Sequence, residues 1–279
     1  MLSVDFSGDT HVGMKREINQ DALLLMPEES LFVVADGMGG HKAGEVASRL
    51  AIRTVKEFFL ETGRDKDITW PFRQEGERVY EADRLTASVK LANLRVFETA
   101  KDNPDMKGMG TTMVALHQAD GKVYIAHVGD SRAYLLRDGR LSQITVDHSL
   151  LNDFKKSMTM TAEDEARFPY KNIIVRALGM KEAVEVDLTM LEPLPGDIFL
   201  LCSDGLTGEV TDQQIEKLLY EETNIVRASS RLIAMANESG GRDNTTVVLL
   251  RIRNSAEGEL ADLEDEVMRE LDRENRTRG

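Results

Sequence analysis

The sequence has almost no cysteine: Cys202 is the single one among 279 residues, which excludes an intramolecular disulfide. Cys202 is also not the nucleophile of a Cys-x5-Arg phosphatase, because the residue six positions further on is Gly208. It ends the apolar run IFLLC, and this position favours an inert, buried thiol.

Long hydrophobic runs are also missing, since no uninterrupted apolar run exceeds five residues and a membrane-spanning helix needs about 20. The first residues, MLSVDFSGDTHVG, contain no basic leader followed by an apolar stretch, so we expect no export signal. These absences predict a soluble, cytoplasmic protein.

Basic residues are too few to balance the acidic ones, with 35 Lys and Arg against 49 Asp and Glu and a net charge of −14. This balance argues against a nucleic acid or an anionic membrane surface as the partner. The five histidines show no HxH or HExxH spacing, which argues against the common zinc sites.

The apolar residues that are present form short runs bounded by Gly, Asp or Asn, which predict strands. These runs are 22–26, 31–35, 112–116, 122–128, 133–137, 198–202 and 245–252. Apolar residues at helical spacing predict helices over 45–60, 80–99, 212–220 and 225–238. The sequence RDGR at 137–140 predicts a tight hairpin of type I′.

Each predicted helix has one apolar stripe, so each is expected to lie on a sheet. Strands and helices do not alternate regularly, which favours an α+β fold in layers over a doubly wound parallel sheet. Residues 147–171 are polar with weak periodicity and are expected to cross the surface. Residues 253–279 are expected to form a charged tail, helical or disordered.

Four aspartates stand at the ends of predicted strands. Asp36, Asp130 and Asp204 follow apolar runs and lie next to glycine, and Asp243 directly precedes a run. In an antiparallel pair the start of one strand lies beside the end of its neighbour, so several carboxylates can converge. Convergent carboxylates repel each other unless a cation lies between them. Oxygen ligands without paired His or Cys indicate Mg²⁺ or Mn²⁺.

An ordered set of motifs accompanies these aspartates. They are RxxNxD at 16–21, DGMGGHxxGE at 36–45, GMGTT at 108–112, GDSRAY at 129–134, DHS at 147–149, NIIVRALG at 172–179, SDGL at 203–206 and GRDNTT at 241–246. With this set, residues 1–252 resemble the type 2C (PPM family) metal-dependent serine/threonine protein phosphatases in their bacterial form.

The resemblance implies a four-layer αββα sandwich, with two antiparallel sheets packed face to face and antiparallel helix pairs outside. It also implies two catalytic ions, Mg²⁺ or Mn²⁺. Asp36 is expected to bridge the two ions, and the carbonyl of Gly37 completes one site. Asp204 and Asp243 are expected to hold the other ion.

The remaining site residues are also assigned by the resemblance. Asp21 is expected to reach an ion through water, and Asp130 with Asp204 matches a third, weaker metal site. Arg16 is expected to bind the substrate phosphate, although a surface salt bridge is the alternative. Met38 stands where animal relatives have a histidine, so His41 is the candidate proton donor to the leaving group. Its other possible roles are to position a water or to brace the turn.

The implied reaction is hydrolysis of phosphoserine and phosphothreonine in proteins, in which a metal-bridging hydroxide attacks phosphorus in line. The partners are then phosphorylated proteins, either kinase targets or a kinase itself, and the enzyme is expected to be a monomer. Residues 147–171 are expected to form a flap that affects substrate choice. The alternatives are a regulatory binding module that has lost catalysis, and a metal-dependent nuclease, which the acidic balance disfavours.

Overall fold

The structure is a computed structural model that describes residues 2–40, 42–65, 69–70, 72, 79–157, 160, 164, 168, 170 and 173–254. Within these residues the strands form two antiparallel sheets that pack against each other. The predicted residue His41 and the tail from residue 255 onward lie outside the described residues.

One sheet has five strands in the order β1-β11-β10-β7-β8. Their bounds are β1 Leu2–His11, β7 Arg132–Arg137, β8 Arg140–Gln143, β10 Ile198–Cys202 and β11 Thr245–Asn254. The central strand β10 is buried along its whole length, and its two neighbours are antiparallel to it.

The second sheet has the order β2-β3-β5-β6-β9, and the two-residue strand β4 pairs with the end of β3. Its strands are β2 Asp21–Met26, β3 Leu31–Met38, β4 Gly110–Thr111, β5 Met113–Ala119, β6 Lys122–Val128 and β9 Asp187–Leu191.

Helices cover the outer face of each sheet. The described helices are α1 Ala43–Arg64, α2 Tyr80–Asp102, α3 Leu150–Ser157, α4 Asp204–Thr207, α5 Asp212–Glu221 and α6 Ile225–Glu238. Apolar side chains of α1 and α2 pack on β3, β5 and β6, and those of α5 and α6 pack on β10 and β11. Among the described helices, none has the length and apolar content to cross a membrane.

A third apolar layer fills the space between the sheets. It includes Phe32 of β3, Ile125 of β6, Phe199 of β10 and Leu250 of β11, each at most 1% exposed. Removing each large apolar side chain from water stabilises the folded state by about 1.5–3 kcal/mol. The order helix, sheet, sheet, helix confirms the predicted αββα sandwich.

All seven predicted strands and all four predicted helices occur, with small shifts at their ends. Asp138 and Gly139 have φ values of 52° and 75°, which confirms the type I′ hairpin. Sequence reasoning missed the edge strands β1, β8 and β9, because their residues are mostly half-buried or exposed and leave a weak pattern. It also missed β4, which has only two residues. It also missed helix α3, which opens the predicted flap.

The start of α4 lies directly against the chain that leads into β11. A Cβ atom on Gly205 would lie 1.9 Å from the carbonyl oxygen of Asn244, a distance that no side chain tolerates. Glycine is therefore required where Asp204 and Asp243 are brought to the same end of the sandwich.

We expect Gly205→Ala to lower the free energy of unfolding by about 1–3 kcal/mol, the usual range for overpacking, because the added methyl group forces α4 away from Asn244. Urea denaturation measures the change. The matched control is Gly40→Ala, since a Cβ at Gly40 meets nothing within 4 Å. Equal stability of the two variants would contradict the close approach at Gly205.

Candidate active site

Five aspartates lie at one end of the sandwich, each at or beside the end of a strand. Asp21 opens β2 and is the direct partner of Asp36 in β3. Asp130 comes two residues after β6, and Asp204 begins α4 just after β10. Asp243 comes two residues before β11, which is antiparallel to β10. The tertiary structure therefore brings together all of the predicted aspartates.

The carboxyl groups are close enough to affect one another. Asp36 and Asp204 lie within hydrogen-bonding contact. The charge of Asp204 also acts on Asp21 and on Asp130, and that of Asp243 acts on Asp21. This crowding is the repulsion that the sequence predicts for convergent acids.

Burial is the main cause of the altered acidity at this site. It raises the pKa of Asp21 to about 7, although hydrogen bonds from Thr246 and Ser203 act in the opposite direction. It raises the pKa of Asp130 to about 7, and the charge of Asp204 adds to the effect. Burial and the charge of Asp21 raise the pKa of Asp36 well above its usual value. Without a cation, several of these groups are therefore protonated near neutral pH.

Three carboxylate oxygens of this cluster are buried without any hydrogen-bond partner: Oδ1 of Asp21, of Asp130 and of Asp204. A buried polar atom is nearly always paired, so each exception needs an explanation. Three such oxygens within one group of acids fit a hard cation, which prefers oxygen ligands.

The other oxygen of Asp21 is held by two hydroxyl groups. Ser203 Oγ donates to Asp21 Oδ2 at 2.8 Å, and Thr246 Oγ1 donates at 2.7 Å. Thr246 lies in β11 and Ser203 directly follows β10 of the five-stranded sheet, whereas Asp21 belongs to the other sheet. The two hydrogen bonds therefore join the sheets at the site and orient the free oxygen of Asp21.

The backbone of Asp36 is held by the two threonines after GMG. Thr111 Oγ1 donates to the Asp36 carbonyl at 2.8 Å, and the Asp36 N–H donates to Thr112 Oγ1 at 3.1 Å. Thr112 Oγ1 is in turn 2.7 Å from Ser131 Oγ, next to Asp130. These hydroxyl groups tie the strand that carries Asp36 to the loop that carries Asp130.

The peptide after Asp36 lies tightly against the start of α1. A Cβ on Gly37 would be 2.1 Å from the carbonyl oxygen of Gly44, and one on Gly44 would be 2.7 Å from the carbonyl oxygen of Gly37. The Gly37 N–H donates to the Gln20 carbonyl at 3.1 Å. The sequence DGMGGHxxG thus combines a carboxylate with glycines that permit close packing.

Arg16 lies in the β1–β2 loop, at the edge of the acidic cluster. Its Nη2 donates to Asp243 Oδ2 at 2.7 Å, and its side chain remains 52% exposed. The hydrogen bond to Asp243 raises the pKa of Arg16, so the guanidinium is always charged. The salt bridge that was the alternative role for Arg16 is present, and it holds the Arg16 guanidinium directly beside the acidic cluster.

Asn244 fixes this loop in place. Its Nδ2 donates to the carbonyls of Val12 and Ile18, at 2.8 and 3.0 Å, and its Oδ1 accepts from the Gln20 N–H at 2.8 Å. The side chain is buried. One amide group therefore ties the loop that carries Arg16 to the segment that carries Asp243.

His127, His148 and Asp187 form a second group of possible ligands, because one nitrogen or oxygen atom of each lies within 4.8 Å of the others. Proton positions argue against a metal there. His148 Nδ1 accepts from the Gly129 N–H at 3.0 Å, so Nε2 carries the proton of the neutral ring. Arg176 binds Asp187 and lies 3.1 Å from His148 Nε2, and its charge repels a cation.

This second group instead holds His148, at the start of the predicted flap, against neighbouring strands. Burial lowers the pKa of His148 to about 4, so the ring is neutral and remains an acceptor for Gly129. The rings of His127 and His148 stack with centroids 4.6 Å apart. His148 of the DHS motif and Arg176 of the NIIVRALG motif therefore serve as packing and anchoring residues.

Sequence reasoning identified the aspartates but missed the residues that position them. These positioning residues are the threonines of GMGTT, the serine of SDGL, and the asparagine and second threonine of GRDNTT. The signal available was that Ser, Thr and Asn directly flank the aspartates. Which oxygen each one reaches depends on neighbouring strands and is decided only by the fold.

Comparison with known proteins agrees with this arrangement. Residues 8–244 match the family model described as Protein phosphatase 2C. The serine/threonine phosphatase stp of Listeria welshimeri is 38% identical over 226 residues, which are 80% of this chain and 84% of that protein.

Two solved structures are similar over most of the chain. The serine/threonine phosphatase PstP/Ppp of Mycobacterium tuberculosis has a TM-score of 0.78 and 34% identity, covering 90% of this chain and 99% of that one. The catalytic domain of PstP in complex with two manganese ions has a TM-score of 0.76 and 35% identity, covering 91% and 100%. With its αββα sandwich and its acidic centre, the chain belongs to the protein phosphatase 2C family.

Proposed function

We propose that the protein is a Mg²⁺- or Mn²⁺-dependent phosphatase that removes phosphate from phosphoserine and phosphothreonine in proteins. The observation that carries the proposal is the set of three buried, unpartnered carboxylate oxygens, on Asp21, Asp130 and Asp204. Membership of the protein phosphatase 2C family supports the reaction type.

The donor set fits hard divalent ions, because it consists of carboxylate and carbonyl oxygens. We propose Asp36, with the carbonyl of Gly37, and the pair Asp204 and Asp243 as the groups that hold two ions. When bound, such ions lower the pKa of a shared water toward neutrality and so supply the nucleophile for in-line attack on phosphorus.

Two further aspartates have supporting roles in this proposal. Asp21 is assigned to a water-mediated contact, since its Oδ2 is already occupied by Ser203 and Thr246. Asp130, whose Oδ1 is buried and unpartnered, is assigned with Asp204 to a third and weaker site. PstP, solved with two manganese ions, supports the metal requirement.

Arg16 is the group proposed to bind the substrate phosphate. Its guanidinium is charged, half-exposed and adjacent to Asp243, and a planar fork can contact two phosphate oxygens at once. The loop held by Asn244 keeps this cation at the edge of the centre, so binding orients the phosphorus toward the acidic cluster.

The identity of the group that donates a proton to the leaving oxygen stays a prediction. His41, the candidate donor, lies outside the described residues, and Met38 directly follows the Asp-Gly pair.

We propose residues 1–252 as the phosphatase domain, 147–171 as its flap and 253–279 as a charged tail. Phosphoproteins, including kinase targets, are the proposed substrates of a cytoplasmic monomer.

We expect metal-dependent release of phosphate from para-nitrophenyl phosphate and from a phosphothreonine peptide, but no cleavage of DNA. The measurement compares the three substrates with Mn²⁺ and with EDTA. Release from neither phosphoester would identify a catalytically silent binding module, and DNA cleavage would identify a nuclease.

The control for this assay is Asp204→Asn, which keeps the shape of the side chain but removes the charge that holds a cation. It should remove most activity, roughly 100-fold or more for loss of a metal ligand, while circular dichroism shows a folded protein. Unchanged turnover of the folded variant would contradict the assignment of Asp204.

For Arg16→Ala we expect KM to rise about tenfold or more, with a smaller change in kcat, because the side chain binds the phosphate before and during the reaction. Steady-state kinetics with para-nitrophenyl phosphate measure both constants. Arg16→Lys is the matched variant, since it keeps the charge and loses the planar fork. An unchanged KM in Arg16→Ala would leave Arg16 as a salt-bridge residue only.

The pKa shifts predict how stability depends on pH when EDTA removes metal ions. For Asp21 and Asp130 the folded pKa of about 7 lies above the usual value of 3.8, so the folded state holds more protons between those limits. Stability is therefore highest below about pH 4 as far as these groups are concerned, and it falls as the pH rises to about 7.

We expect the free energy of unfolding in EDTA to fall by a few kcal/mol between about pH 5 and about pH 8, given about 1.4 kcal/mol per pKa unit. Chemical denaturation at several pH values measures this. In Asp130→Asn the fall should be smaller, because one raised pKa is removed. A stability that rises over this range in both proteins would show that these carboxyl groups are not buried together.

A further inference from the structure

The β1–β2 loop, residues 12–20, carries Arg16 outside any helix or strand, so its position depends on side contacts. Asn244 binds the two ends of this loop. The stretch that leads from β1 to Arg16 has a further set of contacts of its own. Within it, the Met14 N–H donates to the Gly241 carbonyl at 2.7 Å.

Gly13 lies at the tightest point of this stretch. It is buried, its φ is 83°, and a Cβ atom on it would lie 2.3 Å from the carbonyl oxygen of Asp243. The backbone of the loop therefore rests directly on the backbone of Asp243. Because Arg16 Nη2 is 2.7 Å from Asp243 Oδ2, the placement of Gly13 helps to set where the guanidinium lies.

A histidine side chain supplies the acceptor for the buried Gly13 N–H. That N–H donates to His11 Nδ1 at 2.9 Å, two residues back along the chain, as it would to the oxygen of an Asx turn. A backbone N–H is always a donor, so Nδ1 is the ring nitrogen that carries no proton. The orientation of the imidazole therefore decides whether this turn is held.

Asn237 holds that orientation from the other side. Its Nδ2 lies 3.2 Å from the same His11 Nδ1, and because Nδ1 is an acceptor, the amide has to face it with its NH₂ group. Oδ1 of Asn237 is then left buried with no hydrogen-bond partner among the described residues. Such an oxygen costs stability, and the contact of the NH₂ group with His11 explains why it is retained.

Asn237 stands on a fixed support, the end of α6. The Gly240 N–H donates to the Asn237 carbonyl at 3.2 Å, and the Gly241 N–H donates to the Ala236 carbonyl at 3.0 Å. Gly241 has a φ of 54°, the left-handed conformation that commonly ends a helix. The end of α6 thus holds both the amide that meets His11 and the carbonyl that meets Met14.

We propose that His11 and Asn237 are positioning residues for Arg16, because they hold the turn at Gly13 and with it the place of the guanidinium beside Asp243. The inference rests on the proposed phosphatase function and deepens its phosphate-binding part. Neither side chain touches the substrate in this assignment. Their loss should weaken phosphate binding through Arg16, since a planar fork has to meet two oxygens at once, and should leave the acidic centre in place.

The experiment is steady-state kinetics of the full chain with para-nitrophenyl phosphate and Mn²⁺, with inorganic phosphate as a competing ligand. For His11→Ala we expect KM and the inhibition constant of inorganic phosphate to rise together, about three- to tenfold, the effect of one neutral hydrogen bond. The change in kcat should stay below about twofold, because the metal ligands are untouched.

His11→Asn is the matched rescue variant. Its Oδ1 is bonded to Cγ, as Nδ1 is in the imidazole, and it can accept from the N–H two residues further on. KM should therefore remain within about twofold of the wild-type value. A rise equal to that of His11→Ala would show that the bulk of the ring matters rather than its acceptor, and would contradict the proposal.

Asn237→Ala should raise KM about two- to fivefold without lowering stability, because it removes the unpartnered oxygen together with the contact to His11. Urea denaturation measures the stability. The control is Asn103→Ala, since the Asn103 amide donates to the Thr99 carbonyl at the end of α2, and it should leave KM unchanged. A lower stability of Asn237→Ala with an unchanged KM would make Asn237 a structural residue only.

A double-mutant cycle with Arg16→Ala separates positioning from a general effect on the fold. If His11 acts through Arg16, adding His11→Ala to Arg16→Ala should raise KM no further. Independent effects of the two changes would overturn the proposal, and so would an unchanged KM in His11→Ala or a fall in kcat alone. If the wild type hydrolyses the substrate, these results decide the positioning role by itself. If it does not, the proposed phosphatase function fails, and the positioning role fails with it.

Discussion

The structure depends on one electrostatic constraint: five aspartates are held together at the end of a sandwich, where burial strengthens their repulsion. Left to themselves, such groups take up protons, as the raised pKa values of Asp21, Asp36 and Asp130 show. The stability of the centre therefore comes from the surrounding framework. The unpartnered oxygens of the cluster are the places where, in our proposal, a cation replaces those protons.

The framework meets this constraint with an apolar sandwich and with neutral hydrogen bonds. The layer between the sheets fixes the strand ends in space. Ser203 and Thr246 then orient Asp21 across the two sheets, and Thr112 holds the Asp36 backbone. Hydroxyl groups are suited to this task because they donate to a carboxylate without adding a charge that would compete with a bound cation.

The acidic centre and a groove of about 770 Å³, which Asp130 and Asp204 also line, occupy different parts of the fold. The acidic centre belongs to the ends of strands in two packed sheets. The groove is lined by residues of β7, β8, α3 and α4 and by Arg242 in the segment before β11.

The sequence by itself determined the layered fold, the central strands and four of the aspartates, because buried strands with an aspartate at their ends leave local patterns. Asp21 was identified only through the resemblance of its motif. The half-buried edge strands β1 and β9 leave weak patterns and were missed. Only the tertiary structure decided that Ser203 and Thr246 reach Asp21, that Asn244 holds the Arg16 loop, and that a groove joins the centre. These contacts link residues more than 180 positions apart, and no local periodicity records a distance between strands.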